Sequence, residues 1–128
     1  MKPRILLVED DPAIAEMYTS RLVVEPWDIR VAGDGAVAVE AALSEPPDLI
    51  VLDIQLPVKS GIDVLRELRA EPVTQQVPVV VLSNTPGAMS MDVAHQLGIS
   101  AWAVKSATSP AQLVGLISVY LPGDRAAG

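Results

Sequence analysis

The sequence predicts an α/β fold: a doubly wound, five-stranded parallel sheet with helices on both faces. Three observations predict it. Five short apolar runs recur along the chain, at Ile5–Val8, Trp27–Val31, Leu49–Leu52, Val77–Leu82 and Ala101–Val104. Helix-like stretches separate them, several with a start signal of their own. Elements in strict βα alternation close through right-handed crossovers, and these make the strands parallel.

Taken in order, Ile5-Leu6-Leu7-Val8 is continuous and aliphatic, as a strand buried on both faces must be. Asp11-Pro12 then places an N-cap residue before a proline at the first helical position. The run Trp27–Val31 is followed by Ala32-Gly33-Asp34-Gly35, which reads as a turn with Asp34 as a turn or capping residue. Asp48 reads the same way ahead of the second fully buried run, Leu49–Leu52. Ser60, with Asp63 three residues on, is a weaker start of the capping-box kind, and Gly61 serves the loop in front of that helix. After Val77–Leu82, Thr85-Pro86 opens a fourth helix and Gly98 closes it. His95 within that helix reads as a packing or surface residue. Ser109-Pro110 begins the fifth helix after Ala101–Val104. Residues 1–122 are expected to form one domain, and 123–128 a small, polar tail that frays.

Composition excludes several function classes. The 128 residues suit a single domain, and 50% hydrophobic with 20% charged residues is globular. The absence of cysteine excludes disulfides, thiolate metal sites and a cysteine nucleophile. No apolar run approaches the roughly 20 residues of a membrane span, and the apolar stretch at the N-terminus is too short for a secretory signal. A cytoplasmic protein with no membrane partner is expected. Sixteen acidic residues against nine basic ones give a net charge of -7, with no basic cluster, so no direct nucleic-acid contact is expected.

In an open α/β sheet, ligands bind beyond the carboxyl ends of the strands. There the sequence places Glu9, Asp10 and Asp11 after the first run, Asp53 after the third, Ser83 and Asn84 after the fourth and Lys105 and Ser106 after the fifth. Asp11, followed by Pro12, reads as the cap. If the four strands are neighbours, Glu9, Asp10 and Asp53 share one rim with Ser83 and Lys105. Carboxylates about 5 Å apart repel by roughly 3 kcal/mol per pair at an effective dielectric near 20. One lysine cannot cancel that, whereas a hard cation such as Mg²⁺ can. A metal, an ammonium and a hydroxyl together suit a phosphoryl group, and a carboxylate among them can be the nucleophile.

These residues sit in five stretches that resemble the receiver domain of two-component response regulators. They are Leu-Leu-Val-Glu-Asp-Asp-Pro at 6–12, Pro-Asp-Leu-Ile-Val-Leu-Asp at 47–53, Leu-Pro-Val-Lys-Ser-Gly at 56–61, Val-Pro-Val-Val-Val-Leu-Ser at 77–83, and Lys105. The resemblance spans Arg4 to about Leu121. It implies a flavodoxin-like strand order 2-1-3-4-5. It implies that Asp53 is the phosphoacceptor, that Asp10 and Asp53 bind Mg²⁺ directly, and that the backbone carbonyl of Gln55 and, through water, Glu9 complete the site. Ser83 matches the switch hydroxyl, Lys105 the phosphoryl-pairing lysine, and Trp102 the switch aromatic, which is usually Tyr or Phe. The implied partners are a sensor histidine kinase or phosphotransfer protein upstream and a protein target downstream. Output would run through the face of the fourth helix, fifth strand and fifth helix.

Three positions depart from the family. Ser106 stands where a proline usually follows the lysine, which argues against the cis peptide of most members, since a cis bond before a non-proline costs about 3 kcal/mol. Asn84 replaces a small residue and is expected either to narrow the pocket or to hydrogen-bond the phosphoryl group. Trp102 is bulkier than the usual rotor, and reads equally as a core or partner-facing aromatic. Val93, Ala94, Val114 and Ile117 are candidates either for the core or for a homodimer face.

Two other readings compete with a phosphorylated receiver. A pseudo-receiver would keep the fold as a binding module without phosphorylation; intact Glu9, Asp10, Asp53 and Lys105 argue against it. A Mg²⁺-dependent aspartyl-phosphate phosphatase would carry an acid two residues after the nucleophile, where this chain has Gln55. The expectation is therefore a non-enzyme that catalyses only its own phosphorylation and dephosphorylation.

Overall fold

Aliphatic strands and capped helices alternate throughout the computed structural model, which describes residues 2–84 and 89–122. The strands are β1 (Arg4–Val8), β2 (Asp28–Ala32), β3 (Leu49–Asp53), β4 (Val79–Ser83) and β5 (Ala101–Val104). The helices are α1 (Pro12–Leu22), α2 (Gly35–Ser44), α3 (Gly61–Ala70), α4 (Met91–Leu97) and α5 (Pro110–Tyr120), with one 3₁₀ turn at Lys105–Ala107. All neighbouring strands pair in parallel, in the order β2-β1-β3-β4-β5. This is the expected doubly wound fold.

The period of two along each strand builds two cores. Leu6, Val8, Ile50, Leu52, Val79, Val81 and Trp102 face α2, α3 and α4. Ile5, Leu7, Leu49, Val51, Val80 and Leu82 face α1 and α5, whose Tyr18, Leu22, Leu113 and Ile117 cover them. Every residue of β3 and β4 is buried, which is why those runs read as continuous. Each fully buried aliphatic side chain contributes about 1.5–3 kcal/mol, so the central strands contribute strongly to stability.

The caps follow the local sequence. Asp11 accepts from the Ala13 and Ile14 amides, Asp34 from Val37, and Ser60 from Asp63. Ser109 and Gln112 form a reciprocal capping box. Gly98 ends α4 in the left-handed region, at φ 63°. Arg69 donates to the carbonyls of Leu97 and Gly98, binding α3 to that helix end.

Strand ends shift by a residue or two from the sequence reading, and three of the differences have a clear local cause or consequence. Trp27 lies outside β2; it is a buried anchor before the strand, and its N–H is held by the Glu25 carbonyl. Val77 closes a turn onto Thr74, and Pro78 has no N–H to give, so β4 begins at Val79. Helix α4 starts at Met91 with Ser90 as its cap; the start expected at Thr85-Pro86 lies outside the described residues, as does the tail at 123–128. Among the described residues no helix is long and apolar enough to cross a membrane.

The loop from β3 to α3 is tightly folded against the sheet. The Gly61 N–H reaches the Ile54 carbonyl at 2.9 Å. A Cβ at Gly61 would lie 2.6 Å from both the Asp53 carbonyl oxygen and the Ile54 Cα, so only glycine allows this approach. In the same loop Val58 holds a left-handed φ of 70°, which costs a side-chain-bearing residue roughly 1–2 kcal/mol. Gly61→Ala is therefore expected to lower stability by about 2 kcal/mol, read from the urea midpoint; an unchanged midpoint would show that the loop is free to back away from Asp53.

Candidate functional site

Parallel strands in fixed register deliver their last residues to one rim. Val8 pairs with Leu52, Asp53 with Leu82, and Ser83 with Val104. One step further along the chain, Glu9 and Lys105 join Asp53 and Ser83 at the carboxyl end of the sheet. Glu9, Asp53 and Ser83 are buried, whereas Asp10 is exposed. One carboxylate oxygen from each of Glu9, Asp10 and Asp53 lies within 4.8 Å of the other two. The convergence expected from strand order is thus present, at the separation where each pair repels by roughly 3 kcal/mol.

Lys105 holds this group together. Its Nζ lies 2.6 Å from Glu9 Oε1 and 2.7 Å from Asp53 Oδ2. The remaining oxygens accept from backbone: Glu9 Oε2 from the Asp11 N–H at 3.1 Å, and Asp53 Oδ1 from the Gln55 N–H at 3.0 Å. Charge-assisted bonds of this kind are roughly twice as strong as neutral ones. Burial pushes the Glu9 carboxyl above the usual range, outweighing the pull of Lys105 and the Asp11 N–H in the other direction. Burial would lower the Lys105 ammonium, but its hydrogen bonds to Asp53 and Glu9 and their charges win, and its pKa is raised. Three carboxylates against one ammonium leave the pocket negative.

The backbone of Lys105 is itself tied down. The Tyr18 hydroxyl donates to the Thr108 carbonyl at 2.8 Å and more weakly to that of Lys105 at 3.4 Å. Thr108 Oγ1 donates to the Val104 carbonyl at 2.7 Å. On the other side, Asn84 Oδ1 accepts from the Ser106 N–H at 2.7 Å. The Lys105–Ser106 peptide is trans, and no cis peptide occurs among the described residues.

The other sequence candidates fall as follows. Trp102 is half-buried against the core on the α4 side of the sheet. Val93, Ala94, Val114 and Ile117 all pack against the two cores, with Ala94 and Ile117 buried and Val93 and Val114 half-buried. Asp48 accepts from the Arg4 N–H at 2.7 Å, Asp63 lies in the first turn of α3, and His95 is exposed on α4. Sequence reasoning missed Tyr18 and Thr108. Tyr18 shares the apolar stripe of α1 with Ala15 and Leu22, so its ring is legible as core, but its hydroxyl partner lies 90 residues away.

The response regulator receiver domain family matches residues 5–118. The chain belongs to that family. Among relatives, the DNA-binding response regulator MtrA of Mycolicibacterium smegmatis is 38% identical over 121 residues, covering 94% of this chain and 51% of MtrA. The chain thus spans about half the length of this curated relative. The chemotaxis response regulator CheY4 of Vibrio cholerae shares the receiver fold at a TM-score of 0.85 and 22% identity, over 94% of this chain and 100% of that one. The receiver domain of sensor histidine kinase PA1611 from Pseudomonas aeruginosa, whose structure holds a magnesium ion in the active-site cleft, aligns at a TM-score of 0.80 and 28% identity. That alignment covers 94% of this chain and 98% of that domain.

Tyr18 is expected to give the Lys105 turn a pH dependence. Burial raises the phenol pKa above its ordinary value, with Glu9 adding to the rise and Lys105 opposing it. Above about pH 10 the unfolded chain has released a proton that the folded chain keeps. The contribution is therefore complete below that pH and is lost as pH rises through the folded value. Tyr18→Phe is expected to cost about 1 kcal/mol at neutral pH and to lose less stability than the wild type between neutral and strongly alkaline pH. Urea unfolding across that range measures both; parallel curves for the two proteins would contradict the assignment.

Proposed function

We propose that this receiver accepts a phosphoryl group on Asp53 from a phosphohistidine of a sensor kinase or phosphotransfer protein. One observation carries the reading: the Lys105 ammonium, shared by Glu9 and Asp53, with Asp10 alongside at the strand ends. In the transfer, an oxygen of the Asp53 carboxylate attacks phosphorus. The phosphorus–nitrogen bond breaks, its electron pair returns to the donor imidazole, and an acyl phosphate forms. Lys105 is placed to hold a phosphoryl oxygen as it arrives, and Ser83, at the same rim, to donate a hydrogen bond once Asp53 is modified.

The pocket fits Mg²⁺. Its donors are hard oxygens, they converge within 4.8 Å, and Asp10 is open to solvent, which suits an ion that keeps several waters. Asp10 and Asp53 would hold it directly, with the Gln55 backbone carbonyl, and Glu9 would act through water. Bound there, Mg²⁺ supplies charge neutralisation for the phosphoryl oxygens. Gln55, two residues beyond Asp53, offers no acid for a leaving group, so the chain turns over its own phosphate rather than a separate substrate. The signal leaves through α4, β5 and α5 to a protein target, with Ser83 and Trp102 as the moving parts.

Acetyl phosphate with Mg²⁺ is expected to add one phosphoryl mass to the wild-type protein. Asp53→Asn, or a chelator in place of Mg²⁺, is expected to abolish the addition, as read by intact-mass spectrometry. An unchanged wild-type mass would overturn the proposal and favour a binding module that is not phosphorylated.

A further inference from the structure

The 3₁₀ turn that carries Lys105 is short and poorly capped. Val104, at its N-terminal edge, provides no side-chain hydrogen bond. The first N–H groups of such a turn have no partner within it and need one from outside. Asn84 provides it for Ser106: its Oδ1 is 2.7 Å from that nitrogen, across 22 residues of sequence. A proline at 106 would have no N–H to give, so the contact depends on both residues. Asn84 directly follows β4 and Ser106 directly follows Lys105. The bond therefore joins the strand end bearing Ser83 to the strand end bearing the ammonium. Tyr18 holds the far side of the same turn through the Thr108 carbonyl. Between these two ties, Lys105 Nζ reaches both Glu9 and Asp53.

We propose that Asn84 is a positioning residue for Lys105: its side-chain carbonyl holds the Ser106 N–H and so fixes the turn that aims the ammonium at Glu9 and Asp53. The kinetic consequence rests on the reading of Asp53 as phosphoacceptor; the positional claim does not. Because Asn84 adjoins Ser83, any shift of Ser83 toward a modified Asp53 also pulls on the Lys105 turn, and the two strand ends move as one.

The test uses the whole chain and three variants. Asn84→Leu keeps the approximate shape without an acceptor, Asn84→Asp keeps the acceptor, and Ser106→Ala keeps the backbone donor. Amide exchange at Ser106, read by NMR without Mg²⁺ or phosphodonor, is expected to quicken roughly fivefold in Asn84→Leu, the factor for one net hydrogen bond. It is expected to stay near the wild-type rate in Asn84→Asp and Ser106→Ala. The side-chain ¹H–¹⁵N signal of the Lys105 ammonium, a readout that a merely stabilising residue would not move, is expected to broaden or vanish in Asn84→Leu alone. Phosphorylation by acetyl phosphate is expected to slow by up to about fivefold in Asn84→Leu, as the productive arrangement loses population by that factor. Unchanged exchange in Asn84→Leu would overturn the proposal outright. Faster exchange with an undisturbed Lys105 signal would overturn the positioning role. If the wild type takes no phosphate while Asn84→Leu still disturbs both NMR signals, the phosphoacceptor reading fails and the positioning role stands.

Discussion

The site exists because one ammonium can stand between two buried carboxylates. Glu9 and Asp53 are drawn out of water at the ends of β1 and β3, and neither could be held there unpaired without a cost of several kcal/mol. Lys105 meets both at ordinary hydrogen-bond distance. Backbone N–H groups from Asp11 and Gln55 satisfy the remaining oxygens. Yet a single positive charge leaves the cluster negative, and Asp10 adds to the excess from the solvent side. That residual charge is a reservoir of repulsion which a bound cation relieves. A rim built this way is less stable than a neutral one.

The rest of the fold makes this crowding tolerable. Complete burial of β3 and β4 fixes the register, and the register leaves the strand ends no freedom to drift apart. Gly61 brings the α3 loop against the backbone of Asp53 and Ile54, and Val58 accepts a strained φ to close that loop. Tyr18 and Asn84 grip the Lys105 turn from α1 and from β4. Hydrophobic burial thus sets the coarse geometry, and a few polar contacts set the last ångström at the rim.

Much of this is legible in the amino-acid sequence. The strands read because parallel strands buried on both faces need uninterrupted aliphatic runs, as at Leu49–Leu52. Asp11, Ser60 and Ser109 read as caps because capping is local chemistry within three residues. The carboxylates read because strand order alone places chain ends on one rim. Trp27 misled, since an aromatic anchor before a strand looks like part of it. The β4 start misled because Val77 is apolar but serves a turn. The contacts of Tyr18 with Thr108 and of Asn84 with Ser106 were not legible: each joins residues far apart in the chain, and nothing in the neighbouring sequence marks the partner. Asn84 stood out as a departure from the family, but its bond to Ser106 shows only in three dimensions.

The central claim is that the carboxylate of Asp53, held by Lys105 and flanked by Asp10, is where a phosphoryl group is received. A crystal structure grown with Mg²⁺ and beryllium fluoride, a stable stand-in for that group, addresses it most directly. The account predicts beryllium bonded to Asp53 Oδ, a fluorine against Lys105 Nζ, another against Ser83 Oγ, and the metal on Asp10. Beryllium bound elsewhere, or an Asp53 that keeps its Lys105 bond in a pocket without metal or fluoride, would contradict it.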